Sequence, residues 1–229
     1  MNVFGYLTDG GNWPGPDGIL HLLLQHLAYT AAAVVLAAVV AIPLGILIGH
    51  TRRGGVFVIG LSNAARAIPS LGLLFLAVML LGTGAGNIVV VLAILALPAI
   101  LTAVAAGVAG ADREAVHAAR ALGMTEAQVV RQVEWPLALP LAVSGLRSAT
   151  LQVVATATVA AFASGGGLGQ LLTSGQAQSD YPKMFAGALM IAALAIVLDL
   201  LLGGLGWFAA RRARPRSRTA AGSLTVAPA

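Results

Sequence analysis

LAYTAAAVVLAAVVAIPLGILI, residues 27–48, runs for 22 residues without an acidic or basic side chain. A helix needs about 20 mostly apolar residues to cross the hydrocarbon core of a bilayer. The run ends on the basic turn His50-Thr51-Arg52-Arg53-Gly54-Gly55. Working outward, the pattern recurs. A second apolar stretch, Val56 to Leu81, is more polar in its first half (Ser62, Asn63, Arg66) and is interrupted by Pro69. After a glycine-rich turn at Gly82 to Gly86 comes a third, Ile88 to Val108. A fourth runs from about Leu139 to Ala163, and a fifth from about Met184 to Phe208, closed by Arg211, Arg212, Arg214, Arg216 and Arg218. The expected fold is all-α, a polytopic membrane bundle of about five transmembrane helices.

Composition excludes the soluble classes. Apolar residues make up 59% and charged residues only 9%, against roughly 25% charged in soluble domains. Mean hydropathy is +0.91. Absence of cysteine rules out disulfides, thiolate metal sites and a cysteine nucleophile, and no metal site is expected. The net charge of +5 does not point to nucleic acid, because the arginines sit beside apolar runs, where they encode orientation. Arg52 and Arg53, the loop bearing Arg113, Arg120 and Arg131, and the C-terminal tail fall on one side. The other side has only Lys183. The N-terminus is therefore expected outside and the C-terminus in the cytoplasm. Residues 1–20 contain no Lys or Arg, so they lack the basic region of a signal peptide and read as an external lead-in, with Trp13 at the lipid interface. Residues 21–210 form the membrane domain, and 211–229 a basic tail with nothing to bury.

The segment Gly110 to Pro136 is too well punctuated for a plain loop. Asp112 can cap a helix, with Glu114 in its first turn. Ala115, Ala118, Ala119 and Leu122 fall at helical spacing and give one small apolar face, with Arg113, His117 and Arg120 on another. Gly123 stands where a left-handed cap is needed. Thr125 and Gln128 fit a capping box, and Val129, Val130 and Val133 give a second helix its apolar side until Pro136 stops it. An alanine face permits close approach but buries little area, and the charged face mixes both signs. Both features suit a protein partner better than a lipid surface.

At these residues the chain resembles the permeases of ATP-binding-cassette (ABC) importers. His117-Ala118-Ala119-Arg120-Ala121-Leu122-Gly123, nine residues, then Val133-Glu134-Trp135-Pro136 is similar to the family's coupling loop, Glu-Ala-Ala, three residues, Gly, nine residues, Ile, one residue, Leu-Pro. His117 departs from Glu, Val133 from Ile and Trp135 from Leu, and Glu114 lies one turn earlier as a substitute acid. The resemblance spans about His26 to Leu205. Ala67-Ile68-Pro69-Ser70-Leu71 and Ala161-Phe162-Ala163-Ser164-Gly165-Gly166-Gly167-Leu168-Gly169 resemble the osmoprotectant branch (glycine betaine, carnitine, choline). Methionine-type permeases share a similar Gly-Gly-Leu-Gly element.

The resemblance implies a subunit of a bacterial inner membrane. It would work with a second permease, identical or homologous, with cytoplasmic ABC ATPase subunits, and with an extracytoplasmic substrate-binding protein. Coupling to the ATPase would fall to Glu114, Ala115, His117, Ala118, Ala119, Gly123 and Pro136. The only lysine, Lys183, excludes a phosphate-cradling Walker A loop, so ATP and Mg belong to the partner and this chain is no enzyme. Asn63, Ser70, Ser148, Gln152 and Thr156 are candidates for the translocation path. Gly165, Gly166, Gly167, Gly169 and Gln170 are candidates for the external gate or binding-protein contact. Arg66, Arg147 and Asp199 are ionisable groups within spans, where Asp199 is expected to pair with one of the arginines. Two rival classes remain, an autonomous channel and an intramembrane hydrolase built on Ser164. The hydrolase lacks a base, since His21, His26, His50 and His117 fall at or outside the ends of these spans.

Overall fold

The computed structural model describes residues 3–55, 60, 64, 67, 69–163 and 166–213, and among these every regular element is helical. In chain order they are α1 (Val3–Thr8), α2 (Ile19–Thr51), α3 (Ser70–Leu81), α4 (Ala85–Ala109), α5 (Arg113–Ala121), α6 (Glu126–Val129), α7 (Trp135–Ala160), α8 (Gly169–Gln178) and α9 (Tyr181–Ala213). A π turn, Val130–Glu134, fuses α6 to α7. Asn63, Arg66, Ser164, Gly165 and the tail beyond 213 lie outside the described residues.

Among the described residues, four helices are long and apolar enough to cross a membrane: Ile19–Thr51, Ala85–Ala109, the continuous Glu126–Ala163 and Tyr181–Trp207. The expected second span is represented by α3, an apolar helix of 12 residues. The first span begins at Ile19 rather than Leu27, because Gly18 in extended conformation caps a helix that runs through the polar His26. His26 does not end the span, since its Nε2 meets the Val154 carbonyl oxygen at 3.2 Å.

Helices α2, α4 and α7 make the core, and α9 packs on α7 and α8 from outside. Core residues are small: Ala33, Ala37, Ala41, Ala96, Ala138 and Ala149 are buried among Leu92, Ile100, Val104 and Val153. Lipid tails are as apolar as leucine, so close packing rather than hydrophobicity draws such helices together. Glycine sets the spacing at two crossings. A Cβ on Gly45 would lie 2.8 Å from Val104 Cβ, and one on Gly145 would lie 2.3 Å from Ala103 Cβ. Gly145→Val should therefore force α7 off α4, costing about 1–3 kcal/mol or more. Gly204→Ala, with nothing within 4 Å of the added atom, is the control. Thermal unfolding in detergent should separate the two, and equal melting would refute the crossing.

A second cluster seals the end bearing the N-terminus, where Ile19, Leu22, Leu168 and Leu171 are buried against Trp13. Trp13 is fixed by donation from its Nε1 to the Leu7 carbonyl oxygen, 2.8 Å. The lead-in is thus folded against the end of α2.

Candidate functional site

Local chemistry builds the loop after α4. The Asp112 carboxylate accepts from Glu114 N at 2.9 Å and caps α5. Gly123 takes φ +82, which lets Met124 N reach back to the Ala119 carbonyl oxygen at 3.2 Å and close the helix. Thr125 and Gln128 form a complete capping box at the start of α6. Across the Gly123 turn, Ala111, Val116, Ala119 and Val129 are buried together, with Met124 and Val133 against them.

This packing revises the expected alanine stripe. Val116 and Ala119, three residues apart, are the pair that meets Val129, so Ala119 is used up inside the loop. Ala115 is half-buried and Ala118 exposed, and Leu122 stands 84% exposed at the tip. Two apolar faces overlap on α5, and only the fold decides which is turned inward. Glu114 and His117 are exposed as well. Pro136 does not end a helix. It is the second residue of α7, just beyond the π turn, where the backbone pattern is already shifted and a missing N–H costs little.

The loop is tied to the membrane by groups far apart in sequence. His50, at the end of α2, places Nδ1 2.7 Å from Glu134 Oε2 and Nε2 3.2 Å from Glu126 Oε2. Glu126 also accepts from Arg120 Nε and Nη2, both at 3.0 Å. That two-pronged bond holds the Arg120 guanidinium above its ordinary pKa. Glu134 is only 4% exposed. Both ring nitrogens of His50 thus face a carboxylate, one on α6 and one on the π turn. Sequence reasoning missed this brace: His50 reads as the end of a span, and its partner lies 84 residues away.

The expected path residues divide. Gln152 Nε2 donates to the Leu95 carbonyl oxygen at 3.0 Å, tying α7 to α4. Thr156 Oγ1 donates to the Gln152 carbonyl oxygen of its own helix. Ser70 is half-buried at the start of α3. Ser148 lines an open hollow of about 250 Å³, with Ser144, Thr102 and Ala103.

At the opposite end, Gly166 and Gly167 both take φ +69. Gly167 N donates to Gln25 Oε1 at 2.8 Å, and Gln25 Nε2 donates to Tyr29 Oη at 3.0 Å. A Cβ on Gly167 would stand 3.1 Å from His26 Nδ1, and one on Gly169 would stand 2.2 Å from the Thr158 carbonyl oxygen. Gln170 Nε2 donates to Asp17 Oδ1 at 2.9 Å. The glycine run is thus seated on α2 and α7. His26, read from sequence as lying at a span end, is buried inside α2. Its Nε2 donates to the Val154 carbonyl oxygen of α7, which leaves the buried Nδ1 without a hydrogen-bond partner among the described residues.

Asp199 of α9 pairs with Arg147 of α7, both carboxylate oxygens meeting the guanidinium Nε and Nη2. Within a bilayer an unpaired ionised group costs about 3 kcal/mol or more, so either single charge reversal should reduce folded yield strongly. Arg147→Asp combined with Asp199→Arg should recover at least half of it. Size-exclusion yield reads this out, and no rescue would argue against the pair as a brace.

Comparison with known proteins accords with this architecture. Residues 41–218 match the family described as binding-protein-dependent transport system inner membrane component. The choline transport system permease protein OpuBB of Bacillus subtilis (strain 168) is 33% identical over 195 residues, 85% of this chain and 87% of its own length. The osmoprotectant import permease protein OsmW of Salmonella typhimurium is 35% identical over 207 residues, 88% of this chain and 94% of its own. Among solved structures, an inward-facing MetNI methionine ABC transporter superposes with a TM-score of 0.69 at 25% identity, covering 86% of this chain and 96% of that one. A multi-pass bundle with that fold, matched over most of its length, makes this chain a transport permease of the inner membrane, a member of the binding-protein-dependent transport system inner membrane component family.

Proposed function

We propose that this permease serves an ATP-driven importer of glycine betaine-, choline- or carnitine-type osmoprotectants. Relatives named for choline and for glycine betaine/carnitine/choline, each 33% identical over 85% of the chain, support that substrate class. The coupling reading is carried by one observation: a capped two-helix loop presents Ala118 and Leu122 outward while His50 and Glu134 tie it to α2. ABC ATPase subunits, which hold ATP and Mg, grip that tip from the cytoplasm, with the N-terminus outside and the C-terminus inside. Their closure moves the loop, and the loop moves α2 and α7. Glu114, Ala115, His117, Ala118, Ala119, Gly123 and Pro136 form or support the grip. Ser148, Gln152, Thr156 and Ser70 border the path. Gly166, Gly167, Gly169 and Gln170 belong to the external gate, which faces the substrate-binding protein. A second permease completes the pathway.

The test is reconstitution with the ATPase and binding-protein subunits. ATPase activity should rise with betaine or choline. Stimulation by methionine alone would move the chain to the methionine class, which the superposed MetNI fold makes the second reading. Uptake by the permease without ATPase would instead favour a channel. Gly123→Val strains a φ of +82 and should separate ATP hydrolysis from uptake. Uptake unchanged in that variant would refute docking through this turn.

A further inference from the structure

Two neighbouring hollows where α2 and α4 end differ in chemistry but share two residues. The larger, about 430 Å³, is walled by Ile48 and Gly49 of α2 and by Ala105, Ala106 and Ala109 of α4. The smaller, about 280 Å³, is lined by His50, His117, Arg120 and Glu134. Arg52 and Arg113 line both. The charges of the smaller hollow are largely committed: Glu134 faces His50, and Arg120 is held by Glu126. Arg52 and Arg113 are different, because their side chains make no hydrogen bond or ion pair among the described residues. Arg52 is moreover held at φ +54, a conformation uncommon for a side-chain-bearing residue. Ala106 and Ala109 remain exposed in the apolar hollow.

An apolar slot along two membrane helices, opening onto two uncommitted guanidinium groups at the helix ends, suits a ligand with a hydrocarbon tail and an anionic phosphate head. We propose that this pair of hollows binds one anionic phospholipid. Arg52 and Arg113 hold the phosphate, and one acyl chain lies along Ile48, Gly49 and Ala106. Guanidinium forks match phosphate oxygens two at a time. An acidic side chain of a partner protein would satisfy the arginines but leave the slot empty, and free phosphate would do the same. The apolar half therefore favours the lipid.

Native mass spectrometry of the assembled importer, in equal phosphatidylglycerol and phosphatidylcholine, tests this. Each arginine near a membrane surface favours an anionic lipid about fivefold, so the pair should give about 25-fold preference for phosphatidylglycerol. The double variant Arg52→Gln/Arg113→Gln should lose most of it. Arg53→Gln, outside both hollows, should keep it. Ala106→Phe fills the slot with both arginines intact and should also lower retention, which covers the case in which the double variant fails to assemble. Equal retention of the two lipids, unchanged preference in the double variant, or no bound lipid once the ATPase is docked would each overturn the proposal. Displacement of the lipid by excess inorganic phosphate, together with full retention in Ala106→Phe, would assign the site to free phosphate and overturn it too.

Discussion

A His50→Leu permease should reach the membrane and still lose most of its ATP-driven uptake. Leucine fills the imidazole's space but offers nothing to Glu134, whose carboxylate is 5% exposed. Leaving a buried charge without its partner costs about 3 kcal/mol or more. That is about a hundredfold in the balance between docked and undocked loop. The loss falls at the junction of α2 with the coupling loop rather than in the core, where α2 packs through Ala33, Ala37 and Ala41. Folded yield should consequently drop far less than uptake. Proteolysis within Arg113–Ala121 should accelerate. Pairing His50→Leu with Glu134→Leu should recover the loop's protection, because replacing both partners of a buried hydrogen bond by apolar groups can be nearly neutral. Equal uptake by His50→Leu and the natural protein would dismiss the brace. Failure of the double variant to restore protection would show that the histidine acts otherwise.

Gly169→Ala should be nearly as damaging at the other end. The added methyl would sit 2.2 Å from the Thr158 carbonyl oxygen and 2.8 Å from Ala161 Cβ. The nearer atom is backbone and cannot rotate away. The start of α8 must move off α7, which disturbs the glycine turn held by Gln25. Overpacking of this kind costs about 1–3 kcal/mol. It falls on an element packed through few buried residues, Gly169, Leu171 and Gly175. Uptake should fall about tenfold or more while ATP hydrolysis without substrate persists, since the coupling loop lies at the far end of α7. Gly86→Ala, with nothing within 4 Å of the new atom, should be silent. Normal uptake by Gly169→Ala would remove this segment from the gate.

What could be read from the sequence was what depends on near neighbours. Helix spans follow from run length and hydropathy, and the capping box at Thr125 needs only the residue three places on. The apolar run begins at Leu27, but α2 begins eight residues earlier, and His26 is accommodated within it by the Val154 carbonyl opposite. The inward face of α5 depends on Val129, beyond a turn. The two attachments that give the candidate site its form, His50 to Glu134 and Gln25 to Gly167, join residues 84 and 142 positions apart. No periodicity in a single sequence encodes such meetings. Asp199 reads as the partner of Arg147 or Arg66 because ionisable residues within spans are scarce, and only the fold sets it against Arg147, 52 positions away.

The fusion of α6, the π turn and α7 has a mechanical consequence. Glu126 to Ala163 is one continuous rod of 38 residues, about 57 Å at 1.5 Å per residue. One end carries the tip that an ATPase would hold, and the other presses the Thr158 carbonyl against Gly169. For a lever of that length, a tilt of about 10° sweeps the far end through about 10 Å. Beyond the π turn and Pro140, both near the driven end, the helix runs on to Ala160 with no further proline inside it. Force delivered at one membrane surface would then arrive at the other as displacement within the same stroke, with no relay of side chains between them.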